Sequence, residues 1–151
     1  MTITEINLIT FSPTHTSKQI GEAIVRGMGI ADVSFVDMTL QAPEKKEFGS
    51  DALAVITVPV YGGHVAPLAL ERMKDLRADG TPVVIVVVYG NRAYEKALTE
   101  LDAFVSGLGF KVIAGGTFVG EHSYSSDRYP IAAGRPDDDD LKFAEEFGAK
   151  V

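Results

Sequence analysis

The protein has 151 residues, 46% hydrophobic and 23% charged, which is enough for one domain with a substantial core and hardly enough for two. Its net charge of -7 argues against a nucleic-acid-binding protein, because phosphate contacts need clustered Lys and Arg. The absence of cysteine excludes disulfides, thiolate nucleophiles and cysteine-ligated iron–sulfur clusters in this chain.

Five apolar segments are predicted to be strands: approximately Ile3–Phe11, Val33–Asp37, Ala52–Val58, Pro82–Tyr89 and Phe110–Phe118. The chain start, "MTITEINLIT", lacks the basic and long apolar regions of a signal peptide. "ALAVITV" and "PVVIVVVY" are apolar on both alternating faces, the pattern of parallel strands covered by helices on both sides. The second of these is the longest apolar run and is too short to cross a bilayer. We therefore expect a cytoplasmic protein without membrane insertion.

Amphipathic helical patterns separate these strands. The apolar helix faces comprise Ile20, Ala23, Ile24 and Met28; then Leu68, Met73 and Leu76 after a first helical Pro67; then Ala97, Leu98, Leu101, Phe104 and Leu108 before Gly109. "DDDDLKFAEEFGAK" predicts a last helix, and "TLQAPEKKEFGS" a loop that holds at most a degenerate helical turn. The alternation predicts one doubly wound α/β domain over residues 1–151, with a five-stranded parallel sheet of order 2-1-3-4-5 and helices on both faces.

Histidines and tyrosines concentrate at one edge of this predicted sheet. His15, His64 and His122 follow the first, third and fifth strands. The tyrosines at or after the ends of strands three to five are Tyr61, Tyr89, Tyr94, Tyr124 and Tyr129. Ligands of such sheets bind beyond the carboxyl ends of the strands, and rings with polar tips suit a planar aromatic ligand. The alternative is that tyrosines favour half-solvated positions, which any loop edge provides.

The segment "SPTHTS", after the first strand, has the composition of a phosphate site. Ser12, Thr14, Thr16 and Ser17 supply hydroxyl donors at a helix N-terminus, Pro13 stiffens the loop, and no carboxylate repels an anion. The alternative is an ordinary helix N-cap, which needs one Ser or Thr. Neither G-x-x-x-x-G-K-[ST] nor G-x-G-x-x-G is present, which favours a monophosphate over a nucleoside triphosphate or a Rossmann-type dinucleotide.

Two features allow a metal interpretation, and neither has metal-site spacing. The three histidines form no H-E-x-x-H pattern, and Glu121 is merely adjacent to His122. The carboxylates of Asp137–Asp140 lack the EF-hand spacing and suit the first turn of a helix, where the dipole favours them. We therefore predict no metal.

Three segments resemble the flavodoxins. "SPTHTS" resembles their phosphate loop, "PVYGG" the first loop over the flavin ring, and "YGNRAY" the second. "VPVYGGHVAPLALERMKDL", "VVVYGNRAYEKALTELDAF", "GEHSYS" and "AAGRPDDDDL" resemble a narrower group, the flavodoxin-like domains that anaerobes often fuse to a ferredoxin with two iron–sulfur clusters. The uninterrupted fifth strand resembles the short-chain flavodoxins.

This resemblance implies an FMN site built from three loops. Tyr61 would pack on one flavin face and Tyr94 on the other, and the Gly62 peptide would flip to accept a hydrogen bond from flavin N5–H in the semiquinone. Glu121 and His122 belong to a long segment that either flanks the cofactor or covers apolar surface. The implied cofactor-binding residues are Ser12, Pro13, Thr14, His15, Thr16, Ser17, Pro59, Val60, Tyr61, Gly62, Gly63, His64, Tyr89, Gly90, Asn91, Arg92, Tyr94, Glu121 and His122.

The chain departs from the flavodoxin pattern in three ways. His15 stands where flavodoxins usually have glycine, so the loop has a different shape there or the imidazole approaches the phosphate. Asn91 and Arg92 stand where many flavodoxins have acidic residues; Arg92 either eases the second reduction of the flavin or is simply solvated. Because the cysteines of the fused ferredoxin are missing, electrons would pass to separate redox partner proteins, with cationic docking surfaces that match the acidic charge.

The sequence therefore predicts an FMN-binding electron carrier without catalytic residues of its own. One alternative is an FMN-dependent NAD(P)H oxidoreductase, which would need room for a nicotinamide beside the flavin. Another is a cofactor-free interaction module, indicated by His15 in the phosphate loop. A response-regulator receiver is excluded, because "TFS" replaces the expected acidic pair after the first strand.

Overall fold

The computed structural model describes residues 3, 5–13, 15–30, 32–44, 47–61, 64–89, 96–119 and 138–150. In chain order its elements are β1 Glu5–Thr10, α1 Thr16–Met28, β2 Val33–Asp37, β3 Glu47–Phe48, β4 Ala52–Tyr61, β5 His64–Val65, α2 Pro67–Met73, β6 Arg77–Ala78, β7 Pro82–Tyr89, α3 Ala97–Gly107, β8 Lys111–Val119 and α4 Asp138–Lys150. No helix in these ranges is long and apolar enough to cross a membrane.

The five long strands form a parallel sheet in the order β2-β1-β4-β7-β8. This is the predicted order 2-1-3-4-5, counted over the long strands. β4 and β7 are central and are buried along almost their whole length, because helices cover both faces. The register places Thr10 of β1 beside Asp37 of β2 and Thr57 of β4, so the carboxyl ends of these strands meet at one edge.

Two apolar cores lie on opposite faces of the sheet. Residues of α1 and α4 pack on one face, and residues of α2 and α3 pack on the other. Ile20, Ala23 and Ile24 of α1 are fully buried, as their spacing predicts. The prediction was wrong for Leu68, which is 46% exposed. In the helix that begins at Pro67, the next residue, Ala69, is the one that faces the core and is fully buried.

The third long strand extends beyond its predicted end at Val58. β4 continues through Pro59 and Val60 to Tyr61, and then pairs antiparallel with β5. A proline is tolerated there because its missing N–H lies beyond the last rung that β4 shares with β1, Thr10 with Thr57. Part of the predicted first flavin loop is therefore a strand.

The predicted loop "TLQAPEKKEFGS" contains a strand, so this prediction was wrong for its last part. Glu47 and Phe48 form β3, which pairs in parallel with β6. Phe48 is buried and its ring centroid lies 5.6 Å from that of Phe110, while the Thr81 hydroxyl donates to the Gly49 carbonyl at 2.9 Å. Two residues are too few to show a period of two, so this strand is not visible as a pattern in the sequence.

Candidate functional site

The carboxyl edge of the sheet gathers several of the predicted site residues. The Ser12–Ser17 segment follows β1, Tyr61 and His64 lie at the β4–β5 hairpin, and Tyr89 ends β7. Under this edge, the Thr57 hydroxyl donates to the Thr10 hydroxyl at 3.0 Å, and both residues are buried. One hydrogen-bonded pair of buried hydroxyls therefore lies beneath these residues.

Ser12 supports the start of α1 from outside the helix, three residues before its N-cap residue His15. Its Oγ accepts a hydrogen bond from the backbone N–H of Lys18 at 3.0 Å, and its carbonyl accepts one from the N–H of His15 at 3.1 Å. The hydroxyl hydrogen of Ser12 can still be donated to a ligand. One of the four predicted hydroxyls thus accepts from an N–H of the first helical turn, although Ser12 lies outside the N-cap position that the alternative interpretation assigned to a Ser or Thr.

Ser17 lies in the first turn of the same helix, and its hydroxyl differs from that of Ser12 in its hydrogen bonding. Its side chain is 1% exposed, and its Oγ has no hydrogen-bond partner in the described part of the chain. A buried hydroxyl without a partner costs about 1–3 kcal/mol, so native structures rarely leave one without a reason. No acidic residue occupies the first turn of α1, where the helix dipole attracts an anion. The described residues of this turn are compatible with a bound phosphate group.

His15 adopts the left-handed conformation at the N-cap of α1, with φ 67° and ψ -2°. Glycine occupies this conformation without a steric penalty, whereas a side chain costs about 1 kcal/mol or more there. The histidine therefore takes a backbone conformation that glycine, usual here in flavodoxins, would also adopt. Its side chain is exposed and makes no capping hydrogen bond.

We expect the two replacements of His15 to shift stability in opposite directions. His15→Gly should raise the free energy of unfolding by about 0.5–1 kcal/mol, because it relieves the left-handed strain. His15→Val should lower it by about 1–2 kcal/mol, because a β-branched residue tolerates a positive φ least. Urea denaturation of the two variants beside the wild type tests this. Equal stability of the Gly and Val variants would contradict the left-handed geometry.

The loop after β2 supports the Ser12–Ser17 segment from the side. Thr39 Oγ1 accepts a hydrogen bond from the backbone N–H of Ser12 at 2.9 Å, and the N–H of Thr39 donates to Asp37 Oδ1 at 2.9 Å. Arg72 of α2 donates from Nη1 to the Met38 carbonyl at 2.7 Å and fixes this loop in turn. Sequence reasoning missed Asp37 and Thr39, although a D-x-T sequence at a strand end is a signal for such a turn.

Asp37 is a carboxylate near the predicted phosphate segment. Partial burial raises the pKa of Asp37, but hydrogen bonds from Thr39 and the charges of Lys18 and His15 outweigh this, and the net pKa lies below 3.8. A lowered pKa stabilises the fold above pH 3.8 and ceases to do so as the pH falls through the folded value. Its negative charge is therefore present at neutral pH, already engaged by Thr39 on one oxygen.

The β4–β5 hairpin is held by a residue that sequence reasoning also missed. Glu100, in the first turn of α3, accepts a hydrogen bond from the backbone N–H of Val65 at 2.9 Å through Oε1. Its Oε2 lies 3.4 Å from Nδ1 of His64. Tyr61 pairs with His64 across the hairpin and is 40% exposed, and Tyr89 packs against the core at the end of β7.

The remaining predicted site residues lie outside the described residues, and their roles stay predictions. They are Thr14, Gly62, Gly63, Gly90, Asn91, Arg92, Tyr94, Glu121 and His122. Within the described ranges, no three His, Asp or Glu side chains form a group that could hold a metal ion. α4 begins at Asp138, which places Asp138–Asp140 in its first turn, as expected from the helix dipole.

No protein-family model matches this sequence, and no curated protein matches it. Several solved structures are similar. A flavodoxin of Streptococcus pneumoniae TIGR4 is 19% identical, with 97% of this chain and 99% of that chain covered and a TM-score of 0.60. A Lactobacillus acidophilus flavoprotein in complex with FMN is 16% identical, with 76% and 93% covered and a TM-score of 0.54.

A flavone reductase is 12% identical, with a TM-score of 0.68 over 97% of this chain and 61% of that one. At these identities the likeness concerns the fold. It agrees with the strand order and with the placement of helices on both faces of the sheet. The chain therefore has the flavodoxin-like fold.

Proposed function

We propose that this protein binds FMN and carries electrons between separate redox proteins. The observation that carries the proposal is the buried Ser17 hydroxyl, which lacks a partner within the described chain at the N-terminus of α1. A phosphate oxygen at this point would accept its hydrogen bond and meet the positive end of the helix dipole. The flavoprotein of similar fold that was solved with FMN supports the choice of this monophosphate.

Each part of the edge has a task in this proposal. Ser17 and the hydroxyl hydrogen of Ser12 would bind the phosphate, while Thr39 holds the Ser12 segment in place. Tyr61, partly exposed at the end of β4, would lie against one face of the ring system. Bound FMN supplies the redox chemistry, and the chain binds, orients and shields it.

Two large apolar side chains are exposed in the segments that follow β2 and begin α2. Leu40 after β2 and Leu68 at the start of α2 are 90% and 46% exposed. Exposed apolar groups in an acidic protein favour a partner that combines apolar and cationic residues, because opposite charges speed the encounter. We propose that the redox partners have such docking surfaces.

The proposal is tested by titrating the flavin-free protein with FMN and, separately, with riboflavin, followed by quenching of flavin fluorescence. We expect FMN to bind about a thousandfold more tightly, since a dianion held by several charge-assisted hydrogen bonds adds roughly 4 kcal/mol. Equal affinities would rule out a phosphate site, and absence of binding would favour an interaction module. Steady NADH or NADPH oxidation by the flavin-loaded protein would favour a reductase, the activity that the name of the flavone reductase gives to that protein.

A further inference from the structure

Glu100 joins two parts of the chain that are distant in sequence. It stands in the first turn of α3, and it contacts both residues of β5. Its Oε1 accepts from the Val65 N–H at 2.9 Å, and its Oε2 lies 3.4 Å from the His64 imidazole. One carboxylate therefore ties the β4–β5 hairpin to the beginning of α3.

The hairpin needs such a support. β5 has two residues, and the described residues pair it with β4 through Val60 with Val65 and Tyr61 with His64; the Ala66 N–H adds one hydrogen bond to the Pro59 carbonyl, at 3.1 Å. Hairpins this short are marginal without tertiary contacts. A hydrogen bond from a backbone N–H to an ionised carboxylate is about twice as strong as a neutral one, and the dipole of α3 further stabilises a negative charge in its first turn.

We propose that Glu100 is a positioning residue for the flavin: it fixes the β4–β5 hairpin, in which Tyr61 pairs with His64, against the start of α3. This inference rests on the proposed function, in which Tyr61 lies against one face of the ring. Glu100 then acts on the ring end of the cofactor and leaves the phosphate end at Ser17 unaffected. It touches Val65 and His64 and sets where they lie.

Two conservative variants separate the effect of the position of the Glu100 carboxylate from the effect of its charge. Glu100→Asp keeps the charge but is one methylene too short to reach the Val65 N–H, whereas Glu100→Gln keeps the reach and an oxygen acceptor but loses the charge. We expect Glu100→Asp to lower the affinities for FMN and for riboflavin by about tenfold each. Glu100→Gln should lower either affinity by less than about threefold. The reduction potentials of bound FMN should shift in the Asp variant and stay close to wild type in the Gln variant.

Asp102→Asn is the matched control, because it removes an exposed carboxylate from the same helix, one that accepts a hydrogen bond from the Ser106 hydroxyl at 3.1 Å. It should leave both affinities and the potentials unchanged. A Glu100→Asp variant with wild-type affinities would overturn the inference, and so would a loss confined to FMN or a loss in Glu100→Gln alone. Failure of the wild type to bind either flavin would instead reject the proposed function, and the inference with it.

Discussion

Replacing Gly148 by alanine is expected to lower the free energy of unfolding by about 3 kcal/mol, the upper part of the range for overpacked cores. Gly148 lies on α4, and a Cβ there would overlap the carbonyl oxygen of Ile24 on α1. Gly27 makes the reciprocal approach, since its Cβ would overlap the carbonyl oxygen of Glu145. The two helices meet backbone to backbone at these glycines, so α4 must move away from α1 to admit a methyl group.

Urea denaturation at 25 °C measures this effect, with Gly107→Ala as the control. Gly107 ends α3, and a Cβ there meets nothing within 4 Å, so alanine should be neutral or stabilising by up to about 1 kcal/mol. If Gly148→Ala and Gly107→Ala were both destabilised, the loss would come from replacing a helix glycine in general and not from the α1–α4 contact. A Gly148→Ala variant as stable as the wild type would contradict the close α1–α4 contact. The exposed Arg26–Glu145 ion pair, at 3.0 Å, contributes little to holding the helices together.

These two glycines illustrate what the sequence could and could not predict of the fold. The long strands and the helices are visible as periodic apolar patterns, and their alternation implies the sheet order. Glycine inside a helical pattern, by contrast, only lowers helix propensity when considered alone. That Gly27 and Gly148 oppose each other is a property of the packed helices, 121 positions apart, and no local pattern carries it.

In the candidate site, too, some residues could be predicted from the sequence and others could not. Ser12, Thr16 and Ser17 could be named from the density of hydroxyls in one short segment, because that signal is local. Thr39 and Glu100 could not, because each acts on a residue 27 or 35 positions away, Ser12 and Val65 respectively. A threonine in a loop and a glutamate in the first turn of a helix are common, and only the folded chain brings them against the site.

Ser17→Ala is expected to lower the affinity for FMN about tenfold and to leave the affinity for riboflavin unchanged. Among the described residues, the Ser17 hydroxyl is buried without a partner, so its removal breaks no hydrogen bond to any of them. In the complex it would donate to a phosphate oxygen, and a hydrogen bond to a charged group contributes about 1.5–3 kcal/mol. Dividing the FMN affinity by the riboflavin affinity isolates this contribution, since the ring contacts are common to both ligands.

The stability of the flavin-free variant gives an independent check on the same hydroxyl. Ser17→Ala should be as stable as the wild type, or more stable by up to about 1 kcal/mol, because an unsatisfied polar group is removed from a buried site. Ser106→Ala is the control: its exposed hydroxyl donates to Asp102 on α3, and neither flavin affinity should change. A Ser17→Ala variant that loses stability but keeps the wild-type FMN preference would show that Ser17 supports the fold rather than the phosphate. A variant that keeps its stability and loses that preference would place the phosphate at the start of α1.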